Sequence, residues 1–151
     1  MSVRKIITIG DEILSKKSHP VTNFDKRLHS LIDDMVETMQ KYEGAGLAAV
    51  QVGILRRVVV IDVGEGLIEL INPEIISTKG SQYGAEGCLS VPGKHGDVER
   101  PMEVTFKAYD RNGNEYTKTV SGLFARCVCH ECDHLDGKLY VELADNIVDN
   151  E

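Results

Sequence analysis

The sequence predicts an α+β fold in which antiparallel β-sheets pack around a central helix. Three observations predict it. The elements follow in the order helix, several strands, helix; the pair Asn112-Gly113 signals a tight hairpin turn; and the last helix carries an apolar wall together with an H-E-x-x-H motif on one face. A chain of 151 residues can bury a stable core without disulfides, so we expect a single domain over residues 1–151.

The first helix is the clearest element along the chain. Apolar residues recur at helical spacing over residues 28–42 and form one stripe. The stripe consists of Leu28, Leu31, Ile32, Met35, Met39 and Tyr42. Asn23 or Asp25 can cap the start of this helix, and Gly44 can end it.

Strands are predicted between the two helices. Residues 57–62 are a short β-branched run typical of a buried strand, and residues 67–76 also carry strand-like runs. Residues 102–109 alternate as in a half-buried strand, and residues 115–120 follow the turn at Asn112-Gly113. The last two segments therefore predict an antiparallel hairpin.

The second helix is predicted over residues 122–135 and stops near Gly137. Apolar and chemically active side chains share one face of it, at spacing i, i+4, i+7, i+8 and i+11. They are Leu123, Cys127, His130, Glu131 and His134. We therefore expect a pocket for an apolar side chain beside a chemical site. The acidic tail after Leu143 is expected to fray.

Composition and charge exclude several functional classes. The net charge of -7 argues against a general nucleic-acid binder. No apolar run approaches the roughly 20 residues of a membrane span, and the N-terminus lacks the features of a signal or transit peptide. We expect a cytoplasmic protein without direct contact to nucleic acid or membrane. In that compartment the four cysteines are expected to be thiols or metal ligands.

The segment His130-Glu131-Cys132-Asp133-His134 reads H-E-x-x-H, a pattern that can bind a metal on a helix. Because a helix turns about 100° per residue, His130 and His134 lie one turn apart on the same side. Glu131 lies on the flank of that face, where its carboxylate can reach a water molecule at the metal. A catalytic site of this kind needs a third protein ligand and one open position.

Spacing alone leaves the third ligand open, with Cys88 ahead. Cys88 lies in a polar segment with two glycines, residues 86–93, which we expect to be a loop between strands. Cys127 is one turn too early on the helix to share a metal comfortably with both histidines. The remaining candidates are expected to project away from the site or to lie on the surface. They are Cys129, Cys132, His19 and His95.

Three segments together resemble the peptide deformylase family. They are residues 44–51 (GAGLAAVQ), 86–90 (EGCLS) and 130–137 (HECDHLDG), in the order and at the separations typical of the family. H-E-x-x-H alone recurs across metalloproteases, whereas the three motifs together are highly specific. The resemblance covers most of the chain and implies a half-barrel-like α+β fold.

The resemblance also implies an activity and a metal. The family's enzymes are hydrolases that remove the formyl group from the N-terminal formyl-methionine of newly synthesised polypeptides and release formate, as part of co-translational processing. By resemblance, Cys88, His130 and His134 would hold one Fe2+ per chain, which Zn2+ or Ni2+ often replaces in isolated protein.

Further roles carry over residue by residue. Glu131 would act as general base and then general acid while water activated by the metal attacks the formyl carbon. Gln51 and the backbone N–H of Leu89 would hold the oxyanion. The substrate would bind along Gly44, Ala45 and Gly46 as an added strand. Its methionine side chain would enter a pocket walled by Leu123, Cys127 and His130, with Ala45 nearby. The implied partners are the nascent formyl-methionyl polypeptide and, transiently, the ribosome, and we expect a monomer.

Several positions depart from the family's usual pattern. Val50 stands where proline is usual, Cys129 replaces a glutamine, and Arg126 occupies a position near the pocket that is often apolar. Glu86 and Arg100 carry opposite charges on either side of the Cys88 segment, so we expect them to form a buried pair that orients it.

Two other functions compete with this interpretation. An H-E-x-x-H endopeptidase is one, but that class usually takes His, Glu or Asp as its third ligand. The other is a structural module in which cysteine and histidine close a four-ligand zinc site, and an open coordination position would exclude it.

Overall fold

The structure, a computed structural model, describes residues 2–150. Its helices are α1 (Lys26–Lys41) and α2 (Gly122–Leu135). Its strands are β1 (Gly46–Ala48), β2 (Val58–Ile61), β3 (Ile68–Lys79), β4 (Gln82–Cys88), β5 (Val91–Arg100), β6 (Glu103–Tyr109), β7 (Glu115–Ser121) and β8 (Asp145–Asp149). A five-stranded antiparallel sheet has the order β1-β2-β3-β6-β7, and a three-stranded antiparallel sheet has the order β4-β5-β8. The predicted α+β class is confirmed.

Helix α1 begins two residues before the predicted start. The side chain of Asp25 accepts a hydrogen bond from the N–H of Leu28 at 3.1 Å, so Asp25 is the cap. At the other end, Glu43 adopts a left-handed φ of 56°, and the N–H of Gly44 donates to the carbonyl of Met39 at 2.9 Å. The chain thereby turns from α1 directly into β1.

The core has two layers because the five-stranded sheet is covered by a helix on each face. Strand β2 shows this clearly, since successive side chains of a strand point to opposite faces. Val58 and Val60 pack with the α1 stripe, while Val59 and Ile61 pack with the apolar residues of α2. All four are completely buried. In the predicted α1 stripe only Tyr42 is exposed.

Strand β3 continues through Asn72-Pro73 with a bulge. Asn72 has a φ of 51°, and the pairing with β6 shifts register between Ile71 and Glu74. Proline has no N–H for the ladder, so a bulge accommodates it. The Asn72 amide exchanges two hydrogen bonds with the backbone of Val21, at 2.8 and 2.9 Å, and so ties the N-terminal segment to the sheet.

Two expectations about the smaller sheet are wrong. Residues 86–93 form the end of β4, a tight turn and the start of β5, in which Cys88 pairs with Val91. The acidic tail forms β8, which pairs with β5. Glycines and exposed acidic residues have weak strand propensity, but backbone pairing along a neighbouring strand overrides it here.

Neither helix in residues 2–150 has the length and apolar character that a membrane span requires.

Candidate active site

Three donor side chains converge where α2 meets the turn between β4 and β5. The Sγ atom of Cys88 and the ring nitrogens of His130 and His134 all lie within 4.8 Å of one another. The Cys88 Sγ is 3.3 Å from Nε2 of His134. Ligands bound at about 2.0–2.3 Å around one tetrahedral metal ion are about 3.5 Å apart. The donor set therefore fits a single transition-metal ion.

Two atoms near the donors are unpartnered, and one of them adds to the fit. Among the described residues, Oε1 of Glu131 and Nδ1 of His134 are buried polar atoms without a hydrogen-bond partner. A buried polar group without a partner costs about 1–3 kcal/mol, so such atoms in a native site indicate a contact made by water or an ion. The Glu131 atom is the relevant one here, because its side chain lines the cavity described below.

Glu131 lies beside the histidines because it is the residue after His130 in α2. The residue is 5% exposed, and its Oε2 lies 4.0 Å from Nε2 of His130. Burial raises the pKa of Glu131 to about 7, although the neighbouring His130 opposes the shift. A divalent cation at the donors would lower this pKa again by Coulomb attraction. A carboxylate in this environment suits proton transfer near neutral pH.

Glu86 holds the ring of His130 through its Nδ1 atom. Its Oε1 lies 2.8 Å from Nδ1 of His130, which leaves Nε2 available to a metal. Arg100 donates to both oxygens of Glu86 at 2.8 and 2.9 Å and to Asp133 at 2.7 Å. Burial opposes the charge of Glu86, but the hydrogen bonds from Arg100 and His130 lower its pKa to about 2. The predicted pair between Glu86 and Arg100 is confirmed.

Gln51 enters the site from the short 3-10 helix that follows β1. Its Oε1 accepts from the N–H of Ala48 at 2.9 Å, which turns the amide nitrogen toward Ser90 Oγ at 3.1 Å and Cys88 Sγ at 3.6 Å. The amide carries two N–H donors, so one can serve Ser90 while the other points into the site. Ser90, which is completely buried, thus fixes Gln51.

A cavity of about 750 Å³ opens beside these groups. All the residues expected to bind substrate line it: Gly44, Ala45, Gly46, Leu123 and Cys127. Gln51, Cys88, Leu89, His130 and Glu131 also line it. Of the predicted site residues, His134 alone does not, because it lies behind the other donors and is 1% exposed.

The other cysteines and histidines stand outside the donor set. Cys129 and Cys132 pack with the apolar core cluster around α2. Burial raises the pKa of Cys127 to about 12 and that of Cys129 to about 11, so both stay protonated thiols at neutral pH. His19 is exposed, and His95 contacts Asn150 on the C-terminal segment.

Sequence reasoning missed several supporting residues. The ring of Tyr140 stacks on that of His130, with centroids 6.0 Å apart and planes 26° apart. Arg126, noted only as a departure from the family, donates to Glu86 at 2.7 Å. A signal for Arg126 was present, since it lies one helical turn before His130. No pattern in the sequence singles out Tyr140.

Comparisons with known proteins agree with this geometry. The family model described as Polypeptide deformylase matches residues 3–150. A peptide deformylase of Caldicellulosiruptor bescii is 57% identical over 151 residues, which is 100% of this chain and 91% of that protein. The crystal structure of a peptide deformylase from Thermotoga maritima superposes with a TM-score of 0.94 at 39% identity, over 96% of this chain and 99% of that one. That of Ehrlichia chaffeensis in complex with actinonin gives a TM-score of 0.94 at 39% identity, over 97% and 91%.

Proposed function

The chain belongs to the polypeptide deformylase family, and on that premise we propose that it removes the formyl group from the N-terminal formyl-methionine of newly synthesised polypeptides and releases formate. One observation carries the proposal. Three metal donors, Cys88, His130 and His134, converge beside the buried carboxylate of Glu131 at one end of a cavity large enough for a side chain and a short peptide.

The metal we propose is one Fe2+ per chain, with Zn2+ or Ni2+ able to substitute. A thiolate and two imidazoles form a donor set that suits any of these ions. Such a cation supplies Lewis acidity that polarises the formyl carbonyl and lowers the pKa of water. The chain's own contribution is to hold the three donors in place, and the contact between Glu86 and His130 at 2.8 Å serves that purpose.

Proton transfer falls to Glu131. Its carboxylate accepts a proton from the attacking water molecule and returns it to the amine that departs from the formyl group. Its side chain is buried, and Oε1 has no hydrogen-bond partner among residues 2–150, so that atom is available to the attacking water.

The developing oxyanion has two donors from the chain. We assign these roles to the second amide N–H of Gln51 and the backbone N–H of Leu89, the residue that follows Cys88 in the turn. A donor of this kind typically contributes about 3–4 kcal/mol to transition-state stabilisation.

The peptide part of the substrate binds along Gly44, Ala45 and Gly46. Strand β1 is an edge of the five-stranded sheet, and one side of its backbone is therefore open to an added strand. The methionine side chain then occupies the part of the cavity beside Leu123 and Cys127. We further propose a cytoplasmic monomer that meets nascent chains, with transient ribosome contact.

The test is formate release from formyl-Met-Ala-Ser by anaerobically prepared, Fe2+-loaded protein. Glu131→Ala is the critical variant, and Glu65→Ala, in an exposed turn, is the matched control. We expect formate from the parent and the control, and none from Glu131→Ala with its metal still bound. Fully metal-loaded parent protein that releases no formate would overturn the proposal.

A further inference from the structure

Near the metal donors, the contacts between α2 and the three-stranded sheet are ionic. Cys88 reaches the donor cluster from the sheet, whereas His130 and His134 reach it from α2. The buried apolar cluster on this side is small, with Val91, Val98 and Tyr140 as its buried members. Charged side chains make the crossing contacts instead, and they are Glu86, Arg100, Arg126 and Asp133. The geometry of the donor cluster therefore depends on ion pairs.

Arg126 is a residue of α2 that contacts both β4 and β5 of the small sheet. Its side chain is 9% exposed, and its Nη1 donates to Oε2 of Glu86 at 2.7 Å. The same nitrogen lies 3.3 Å from the carbonyl oxygen of Gly84 on β4 and 3.1 Å from that of Val98 on β5. His130 is four residues further along α2. Arg126 therefore contacts the three-stranded sheet one helical turn before the first histidine donor.

Glu86 is held by four donors, two on each oxygen. Oε1 contacts Nδ1 of His130 and Arg100, while Oε2 contacts Arg100 and Arg126. Of the described donors to this carboxylate, only Arg126 and the metal donor His130 come from α2. Without Arg126, the carboxylate that orients His130 would be held by Arg100 of β5, and its remaining link to α2 besides His130 would run indirectly, from Arg100 to Asp133.

We propose that Arg126 is a positioning residue for the metal centre. It fixes the Glu86 carboxylate against α2 and thereby sets the ring orientation of His130 and its distance from Cys88. This inference rests on the proposed function, because it takes the three donors to be metal ligands.

An electrostatic role and a positioning role of Arg126 predict opposite effects of its removal on metal binding. A buried cation near a divalent metal repels it, so if charge alone mattered, loss of Arg126 would tighten metal binding. If Arg126 positions Glu86 and His130, its loss weakens metal binding, by about 10–100-fold as is typical for residues that support metal ligands. The sign of the change therefore decides between the two.

The experiment is titration of the metal-free full-length chain with Co2+, followed by absorption spectroscopy. Thiolate-to-Co2+ charge-transfer bands report Cys88, and the d–d bands report coordination geometry. The variants are Arg126→Met, which keeps the length of the stem but has no donors, and Arg126→Lys. Arg111→Met is the matched control, because Arg111 also forms ion pairs, with Asp33 of α1 and Glu69 of β3, but lies in the turn between β6 and β7.

We expect Arg126→Met to bind Co2+ about 10–100-fold more weakly than the parent, with shifted d–d bands. Arg111→Met should keep the parent's affinity and bands even if its melting temperature falls. A parent protein without the thiolate band would overturn the metal centre and the proposed function together. A normal parent with unchanged or tighter Co2+ binding in Arg126→Met would overturn the role of Arg126 alone.

Arg126→Lys decides the matter if Arg126→Met does not fold. An ammonium on a shorter stem cannot replace the guanidinium fork at the three acceptors. We expect Co2+ binding at least about threefold weaker than in the parent, between the values for parent and Met variant. Parent-like affinity and bands in Arg126→Lys would then overturn the inference.

Discussion

Gly46 lies so close to Glu131 that any side chain there would collide with the carboxylate. A Cβ atom built on Gly46 would be 2.7 Å from Oε2 of Glu131, well inside van der Waals contact. Strand β1 and helix α2 therefore approach each other closely because this position has no side chain. The first motif of the sequence thus helps to position the Glu131 carboxylate carried by the third.

Gly46→Ala should displace Glu131 and lower kcat/KM by about 100-fold, since small misplacements of catalytic groups are costly. The measurement is formate release, with metal content checked in parallel. Gly44→Ala is the comparison, because the one close contact of its Cβ would be with the end of the flexible Leu89 side chain, at 2.9 Å, and we expect a smaller loss. Equal losses in both variants would speak against a specific contact with Glu131.

Gln51→Leu should lower kcat by about 10²–10³-fold while metal content stays near one per chain, because one donor to the oxyanion is lost. Steady-state kinetics with formyl-Met-Ala-Ser separates this from a binding defect, since KM should change little. Ser81→Ala, which removes an exposed hydroxyl in the turn between β3 and β4, serves as the control. An unchanged kcat in Gln51→Leu would remove Gln51 from the oxyanion site.

Arg100→Ala should lower the free energy of unfolding by about 3–5 kcal/mol, because it leaves buried Glu86 without its main partner. Metal content should fall as well, since Glu86 orients His130. Denaturant unfolding and metal analysis of the purified protein check both. If stability and metal content both match the parent, the pair does not support the Cys88 turn.

The stability of the parent should decrease as the pH falls from about 4.5 to about 2. Because the folded-state pKa of Glu86 is lowered to about 2 from 4.5, its charged form stabilises the fold above pH 4.5, and that contribution is lost as the carboxylate protonates. Urea unfolding across this pH range measures the slope. Glu86→Gln should show a shallower slope than the parent, and an identical slope would falsify the assignment to Glu86.

Tyr140→Phe should leave the free energy of unfolding unchanged or raise it by about 1 kcal/mol. Within the described residues its hydroxyl is buried without a hydrogen-bond partner, so removing it relieves a desolvation penalty. Tyr140→Ala should cost about 3–5 kcal/mol, because the ring that stacks on His130 is lost. Thermal or urea unfolding gives both values, and a marked loss in the Phe variant would mean that the hydroxyl has a partner after all.

The sequence predicts the helices well and the smaller sheet poorly, for a physical reason. Helix α2 has its predicted bounds because a strong apolar face lies between Gly122 and Gly137. Strands β4, β5 and β8 contain glycines or exposed acidic residues, and their stability comes from pairing with each other. The pairing of β8 with β5 is long-range, and the β4–β5 turn lacks an Asn-Gly signal, so neither leaves a clear local pattern in the chain.

The candidate site also has a part that the sequence predicts and a part that it does not. The donors and Glu131 were predicted, because one helix spacing and three motifs specify them, and the structure places them together. Of the residues that hold these side chains in place, only the pair of Glu86 and Arg100 was predicted. The roles of Arg126 and Tyr140 depend on how β4, β5 and the C-terminal segment pack on α2, which no single stretch of sequence encodes.

The origin of the three donors has a consequence for how the protein responds to its surroundings. Cys88 belongs to one layer of the molecule and the two histidines to another, so an ion held by all three acts as a cross-link between layers. Such an ion binds the folded chain and not the unfolded one, and at 100 times its Kd it adds about 2.7 kcal/mol to the free energy of unfolding. The lifetime of the folded protein in a cell would then follow the supply of free metal, and starvation for that metal would remove the protein as well as its activity.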